Sequence, residues 1–240
     1  MNIITVDIGN TRSKYVVWNS EGEILETGSD ELMFDLMQKF PGSKMSVSCV
    51  GKLDEWVPDD VYFISVSGDF PFDIEIDQPE TLGTDRLAGI LGAFKRFPGQ
   101  DLLVIDLGSC ITYDYLLAGE PRMRYAGGAI SPGLRFRYLV MSEHTAALPY
   151  LGDTSDEYLK VSDIVDIEKN TSTAMHSGVI LGFLDEISNR IERFLEGNER
   201  ALVVFTGGDA ELVHEKLGNR WKSKIFVEPW LVHYGLYHAL

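Results

Sequence analysis

The chain has 240 residues, 45% hydrophobic and 24% charged, with a formal net charge of −16, enough for a sizeable core in one large domain or two lobes. An acidic chain without a basic footprint speaks against nucleic-acid binding, and no apolar run reaches the roughly 20 residues that span a bilayer. With only Cys49 and Cys110 and no basic leader before the first apolar run, neither a disulfide framework nor a signal peptide is expected, and the expected location is cytoplasmic.

In chain order, residues 3–8 read as a buried strand that ends in the turn Asp7-Ile8-Gly9-Asn10, followed by strands at 14–18 and 23–27. Apolar spacing near a helical period covers 30–40 and stops at Pro41-Gly42. Short strands are expected at 45–50 and 61–66, with an edge strand at 72–77. From Thr84, taken as an N-cap, Leu87, Ile90, Leu91 and Phe94 share one helical face, and Phe97-Pro98-Gly99 ends the helix. Residues 101–120 repeat the opening design: Asp106-Leu107-Gly108-Ser109 stands where Asp7-Ile8-Gly9-Asn10 stood. Such a duplication suggests two related lobes, 1–85 and 86–240, with the junction within 78–90. A glycine-rich turn at 127 is expected to lead into a helix reaching 149. The longest helix, 171–195, shows Leu184, Ile187, Ile191 and Leu195 on one face and closes at Gly197. Residues 201–213 read as strand, glycine turn and helix start. A last helix, about 228–240, carries Trp230, Tyr234 and Tyr237, most simply as core.

One glycine turn after a strand is a weak sign of a phosphate site. Three of them, at 7–11, 106–109 and 206–209, two with an aspartate at the strand end, make a stronger one. Amides of such turns converge on an anion, and glycine lets the backbone come close. A strand-end carboxylate cannot hold phosphate itself, so Asp7 and Asp106 make sense together where cations share a cleft with phosphates. Arg12 and Lys14 beside Asp7 supply local positive charge that the whole chain lacks. Asp85 lies just inside a helix start, where the helix dipole should keep it ionised and weakly basic. A weak base suffices for phosphoryl transfer, in which the attacking hydroxyl mainly needs aiming. Arg86 suits a substrate carboxylate held in a fork. Plain structural readings stand beside these: a hairpin turn at Asp7–Asn10, an extended cap at Asp85, a surface ion pair at Arg86, cap residues at Ser109 and Thr171. Cys110 reads as a small buried residue, and the five histidines show no metal-ligand spacing.

Two Asp-x-Gly phosphate hairpins plus a later strand-Gly-Gly turn resemble the acetate and sugar kinase, Hsp70 and actin superfamily. Within it, D-x-G-N-T-x-x-K (Asp7 to Lys14), G-T-D-R (Gly83 to Arg86), G-G-x-I-x-P-G (Gly127 to Gly133) and N-T-x-x-A-M (Asn170 to Met175) resemble type III pantothenate kinases. The resemblance implies an α/β fold of two actin-like (ribonuclease H-like) lobes with mixed sheets and an interlobe ATP cleft. It implies ATP-dependent phosphorylation of pantothenate to 4′-phosphopantothenate, the first step of coenzyme A biosynthesis, by a cytoplasmic homodimer using Mg²⁺ and K⁺ or NH₄⁺, with the strand-Gly-Gly turn as the adenosine turn and the helix 171–195 as a dimer contact element. Asp7, Ile8, Gly9, Asn10, Thr11, Arg12, Ser13 and Lys14 would form the first ATP phosphate loop, and Ser109 would also contact ATP. Asp106 would hold the monovalent cation. Gly83, Thr84, Asp85, Arg86 and Thr171 would bind pantothenate, with Asp85 as proton acceptor. Departures from the family pattern are Ile76 in place of a pocket tyrosine, His176 in place of glutamine, and Ser109-Cys110 in place of Thr-Ala. The alternatives are a non-catalytic nucleotide-binding regulator on the same fold and a sugar or acetate kinase or phosphatase of the superfamily; the G-T-D-R and N-T-x-x-A-M pair speaks against the latter.

Overall fold

A computed structural model describes residues 1–53, 57–155, 157, 164–217 and 220–240. The chain forms two compact units that alternate along the sequence: residues 1–100, 114–127 and 230–240 make the first, 101–113 and 128–229 the second. A division at 85/86 therefore does not coincide with them. The reason lies in helix α2 (Thr84–Arg96), whose buried face is covered by the last helix, α6 (Leu231–His238), within the first unit. The two cross at glycines. A Cβ on Gly235 would overlap the Ala88 carbonyl, and one on Gly92 the Leu231 carbonyl, so the backbones meet at a separation only glycine allows.

The first unit is built on β1 (Ile3–Ile8), β2 (Ser13–Trp18), β3 (Ile24–Ser29), β4 (Lys44–Cys49) and β5 (Val61–Phe63), in the order β3-β2-β1-β4-β5. β1 runs antiparallel to β2 and parallel to β4, so the sheet is mixed. Strand alternation gives it two unlike faces. Ile4, Val6, Ile8, Tyr15, Val17, Met45 and Val47 pack with Met33 and Leu36 of helix α1 (Met33–Lys39) in an apolar core. The opposite face carries Thr5, Asp7, Ser46 and Ser48, alternating with that apolar set, and α2 and α6 lie over it.

The second unit contains β7 (Asp101–Leu107), β10 (Ala201–Thr206), β11 (Ile225–Val227), and helices α3 (Leu134–Glu143), α4 (Thr171–Leu195) and α5 (Ala210–Leu217). Strands β8 (Cys110–Leu117) and β9 (Arg124–Pro132) run from one unit into the other, and β6 (Asp73–Ile74) pairs with β9 in the first. The second sheet has the order β11-β10-β7-β8-β9-β6, with β10 parallel to both β7 and β11. Residues 102–105 are apolar and buried without alternation, as strands covered on both faces are. Two mixed sheets with helices agree with the expected α/β class.

Most expected elements are present, and the exceptions have physical causes. Residues 127–132 continue β9 instead of turning: Gly127 takes φ 88 while the strand runs on through Pro132, and α3 starts only after Gly133. Glycine's turn preference is local and weak, and strand pairing overrides it. β11, three residues long, carries too little pattern to be read from sequence. Cys110 is exposed, not buried, because it opens β8 at the hairpin.

The polar face of the first sheet holds a buried histidine. Thr5 Oγ1 donates to the Val16 carbonyl at 3.2 Å, accepts from Trp18 Nε1 at 2.9 Å, and shares a hydrogen bond at 3.1 Å with His233 Nδ1. His233 Nε2 is buried without a partner among the described residues. Burial, and secondarily the Lys14 charge, push its pKa down to about 3. In the unfolded chain it titrates at its ordinary value, so the unfolded state binds the extra proton and stability falls as pH drops from about 6.5 towards 3. Acid unfolding followed by circular dichroism is expected to show that loss. In His233→Gln the wild-type-minus-variant stability difference should shrink over this window, and a constant difference would refute the assignment.

Candidate active site

Four short segments of the first unit meet at the carboxyl end of β1. Gly9 N donates to the Arg12 carbonyl at 3.2 Å, and Ser13 N donates to Asp30 Oδ1 at 3.1 Å, closing the turn and leaving Asn10, Thr11 and Arg12 exposed at its tip. Ile8 is buried beneath it, its carbonyl accepting from both Val50 N and Gly51 N at 3.0 Å. Asp7 stands across from Lys14 on β2 and from Ser48 on β4. Its Oδ1 is buried without a hydrogen-bond partner among the described residues. Burial, followed by the Asp85 carboxylate, raises its pKa to about 6, while Ser48 and Lys14 pull the other way. The Asp85 charge thus acts on Asp7, although the two are far apart in sequence.

Asp85 is delivered by the first turn of α2. Gly83, not Thr84, is the N-cap, and Thr84 is the first helical residue. The Thr84 hydroxyl is drawn away from the helix: it accepts from Cys49 N at 2.9 Å and shares a hydrogen bond with Ser48 Oγ at 3.1 Å. That clips the helix start to the end of β4, where the Asp7 neighbours sit. Asp85 Oδ1 accepts from Arg86 N at 2.8 Å, and a Cβ on Gly83 would crowd that same oxygen. The helix dipole alone would lower the Asp85 pKa. Burial outweighs it, and the Asp85 pKa is raised, with Asp114 adding to the rise while the amide and guanidinium of Arg86 oppose it.

Arg86 is not free to clasp a substrate in a fork. Its Nε donates to Asp114 Oδ1 and Oδ2 at 3.0 and 3.2 Å, and its Nη2 to Asp114 Oδ1 at 2.7 Å and to the Tyr125 hydroxyl at 3.1 Å. Tyr125 in turn donates to Asp114 Oδ1 at 2.6 Å. Neither Asp114 nor Tyr125 was singled out from sequence, nor was Ser48. The available sign was a charged residue inside the apolar strand Ile111–Leu117, since a buried aspartate implies a partner.

In the second unit three turns converge. Gly133 N donates to the Ser109 carbonyl at 3.0 Å and Asp209 N to the Leu107 carbonyl at 3.0 Å. A Cβ on Gly133 would overlap the Gly108 carbonyl, and one on Gly207 (φ 92) would overlap Asp106 Oδ1. The Asp106–Ser109 turn is therefore packed between two glycines that bring backbone against it. Ser109 is exposed at its tip. Thr171 is the exposed first residue of α4; the cap is Asn170, whose side chain accepts from Thr173 N at 3.0 Å. His176 is buried and bonded at 2.8 Å through Nδ1 to the Tyr138 hydroxyl. Ile76 lies against Gly127, its Cγ2 within 3.2 Å of where a Cβ would stand. Among the described residues no three His, Cys, Asp or Glu cluster as a self-contained metal site.

Comparison with known proteins bears on these geometries. A family-wide sequence description, type III pantothenate kinase, matches residues 3–193. The type III pantothenate kinase of Flavobacterium johnsoniae is 37% identical over 230 residues, covering 90% of each chain. That of Bacteroides fragilis is 33% identical over 251 residues, covering 100% of this chain and 97% of its own. Among solved structures, a Campylobacter jejuni protein described as a Baf family transcriptional activator superposes with a TM-score of 0.60 at 19% identity, covering 98% of this chain and 96% of that one. The activator of the 2-hydroxyisocaproyl-CoA dehydratase from Clostridium difficile, with bound ADPNP, gives a TM-score of 0.56 at 15% identity, covering 100% and 94%. At such identities these two speak for the fold alone.

Proposed function

The chain belongs to the type III pantothenate kinase family and phosphorylates pantothenate with ATP in coenzyme A biosynthesis, and we propose that Asp85 is its proton acceptor. The observation that carries this assignment is the clip from Thr84 to Ser48 and Cys49, which sets the helix start bearing Asp85 beside the strand partner of Asp7, where the Asp85 charge opposes ionisation of Asp7. Repulsion of this kind costs stability, so it persists where a cationic or proton-bearing ligand relieves it. Asp85, with a raised pKa, is matched to accepting a hydroxyl proton late in a loose phosphoryl transfer.

The turn from Asp7 to Lys14, comprising Asp7, Ile8, Gly9, Asn10, Thr11, Arg12, Ser13 and Lys14, is proposed to bind ATP phosphate, as is Ser109. Gly83, Thr84, Arg86 and Thr171 are proposed to hold pantothenate. The partnerless Oδ1 of Asp7 fits a divalent ion that keeps its own waters and shares substrate phosphates, which is how Mg²⁺ is usually held. When bound, that ion supplies neutralisation of phosphate charge. Asp106, whose Oδ1 and the neighbouring Leu107 carbonyl both border Gly207, is proposed as the ligand of K⁺ or NH₄⁺. Assembly as a homodimer, with α4 as a contact element, is proposed. No described helix is long and apolar enough to cross a membrane, and a cytoplasmic location is proposed. A non-catalytic regulator is disfavoured, since it would have no use for the Asp7–Asp85 repulsion.

Incubation with ATP, Mg²⁺, K⁺ and pantothenate is expected to yield 4′-phosphopantothenate, and absence of product with every monovalent cation would refute the activity. Exchange of K⁺ for Na⁺ should depress the rate. Indifference to the exchange would leave Asp106 a structural residue.

A further inference from the structure

We propose that Asp114 and Tyr125 are positioning residues for substrate recognition: they pin one edge of the Arg86 guanidinium, so that Nη1 meets the substrate's carboxylate end-on. The proposal rests on the reading above, in which Arg86 faces pantothenate. A guanidinium has five N–H donors. Those on Nε and Nη2 are engaged by Asp114 and the Tyr125 hydroxyl, and the tyrosine closes a triangle by donating back to Asp114. Asp114 and Tyr125 are each 2% exposed, so the triangle has a rigid, desolvated base. Nη1 has no partner among the described residues and is not one of the buried orphaned atoms. It is the part of Arg86 left for a ligand.

Charge explains why the pinning matters. Arg86 and Asp114 together are neutral, so the arginine offers an anion two directed hydrogen bonds, not a bare positive charge. Directed bonds work only if the donor is held still. Arg86 also follows Asp85 in the same helical turn. Adjacent helical residues do not face one another, yet an unheld arginine is long enough to fold back on that carboxylate and pair with it. By capturing the guanidinium, Asp114 keeps Asp85 unpaired and able to take a proton. Thus one buried aspartate on β8 sets both where the substrate's anion goes and which carboxylate stays available.

A double-mutant cycle tests this. Asp114→Asn is expected to raise the pantothenate KM about tenfold or more, as for loss of one charge-assisted hydrogen bond, with the ATP KM little changed. In an Arg86→Gln background the same substitution should alter the pantothenate KM less than about twofold, because its effect runs through the arginine. Multiplicative effects, or an unchanged KM in folded Asp114→Asn, would overturn the proposal. If that variant does not fold, Tyr125→Phe decides. It keeps the ion pair and should raise the KM about threefold in wild type and not in Arg86→Gln; equal effects in both backgrounds overturn the proposal. A wild-type enzyme that never turns over pantothenate would instead defeat the functional reading itself.

Discussion

Asp85→Asn is expected to cut kcat by about 10² to 10⁴, the range for losing a positioned general base, with the pantothenate KM changed only a few-fold. Asparagine keeps the shape that sits over Gly83, and its amide oxygen can still accept from Arg86 N. What it cannot do is take a proton. Steady-state kinetics on a variant of unaltered melting temperature would show this as a kcat effect. A few-fold loss, or full retention, would mean that another group or solvent receives the proton. The raised pKa adds a second reading. As the proposed proton acceptor Asp85 must be ionised, so the acid limb of the wild-type kcat profile should fall above the ordinary carboxylate range.

Asp7→Asn should have opposite effects on activity and stability. Asp7 titrates at about 6 in the fold, against 3.8 ordinarily. A raised carboxylate pKa means the folded state prefers the protonated form. The fold is therefore not penalised below about pH 3.8, and the penalty grows to roughly 3 kcal/mol above pH 6, when Asp7 must be ionised. Asparagine never ionises. In metal-free, nucleotide-free protein at pH 8, the variant is expected to melt roughly 6 to 10 °C above wild type. The gain should vanish near pH 4. Turnover should collapse at the same time, because the charge proposed to help hold the phosphate-bound cation is gone. A variant less stable than wild type at pH 8 would show that Asp7 is satisfied in the fold by a partner that compensates its burial.

Local patterns carried much of this structure. The strand, glycine turn and strand at residues 3–18 and again at 101–117 are written within a few residues of each other, and both formed as expected. Helix α2 was legible from its apolar spacing, and α4 from its length, with Gly197 at φ 68 beyond its end. Features that failed to show depended on distant partners. Residues 127–132 extend as a strand despite two glycines, Thr84 bonds to β4 instead of capping, and Arg86 turns towards β8. The direction of the Asp85 pKa shift was hidden for the same reason: the helix start is visible in the sequence, whereas the burial that outweighs it is not.

By itself, then, the amino-acid order determined the elements, the two aspartate-tipped hairpins and the family, because turn chemistry and strand alternation act between near neighbours in the chain. Tertiary structure alone decided which charges meet. Asp7 raised against Asp85, Arg86 bound to Asp114 and His233 stranded beneath Thr5 are each the outcome of burial and proximity between residues distant in sequence. Electrostatic energies depend on separation and desolvation, and neither is encoded in local spacing.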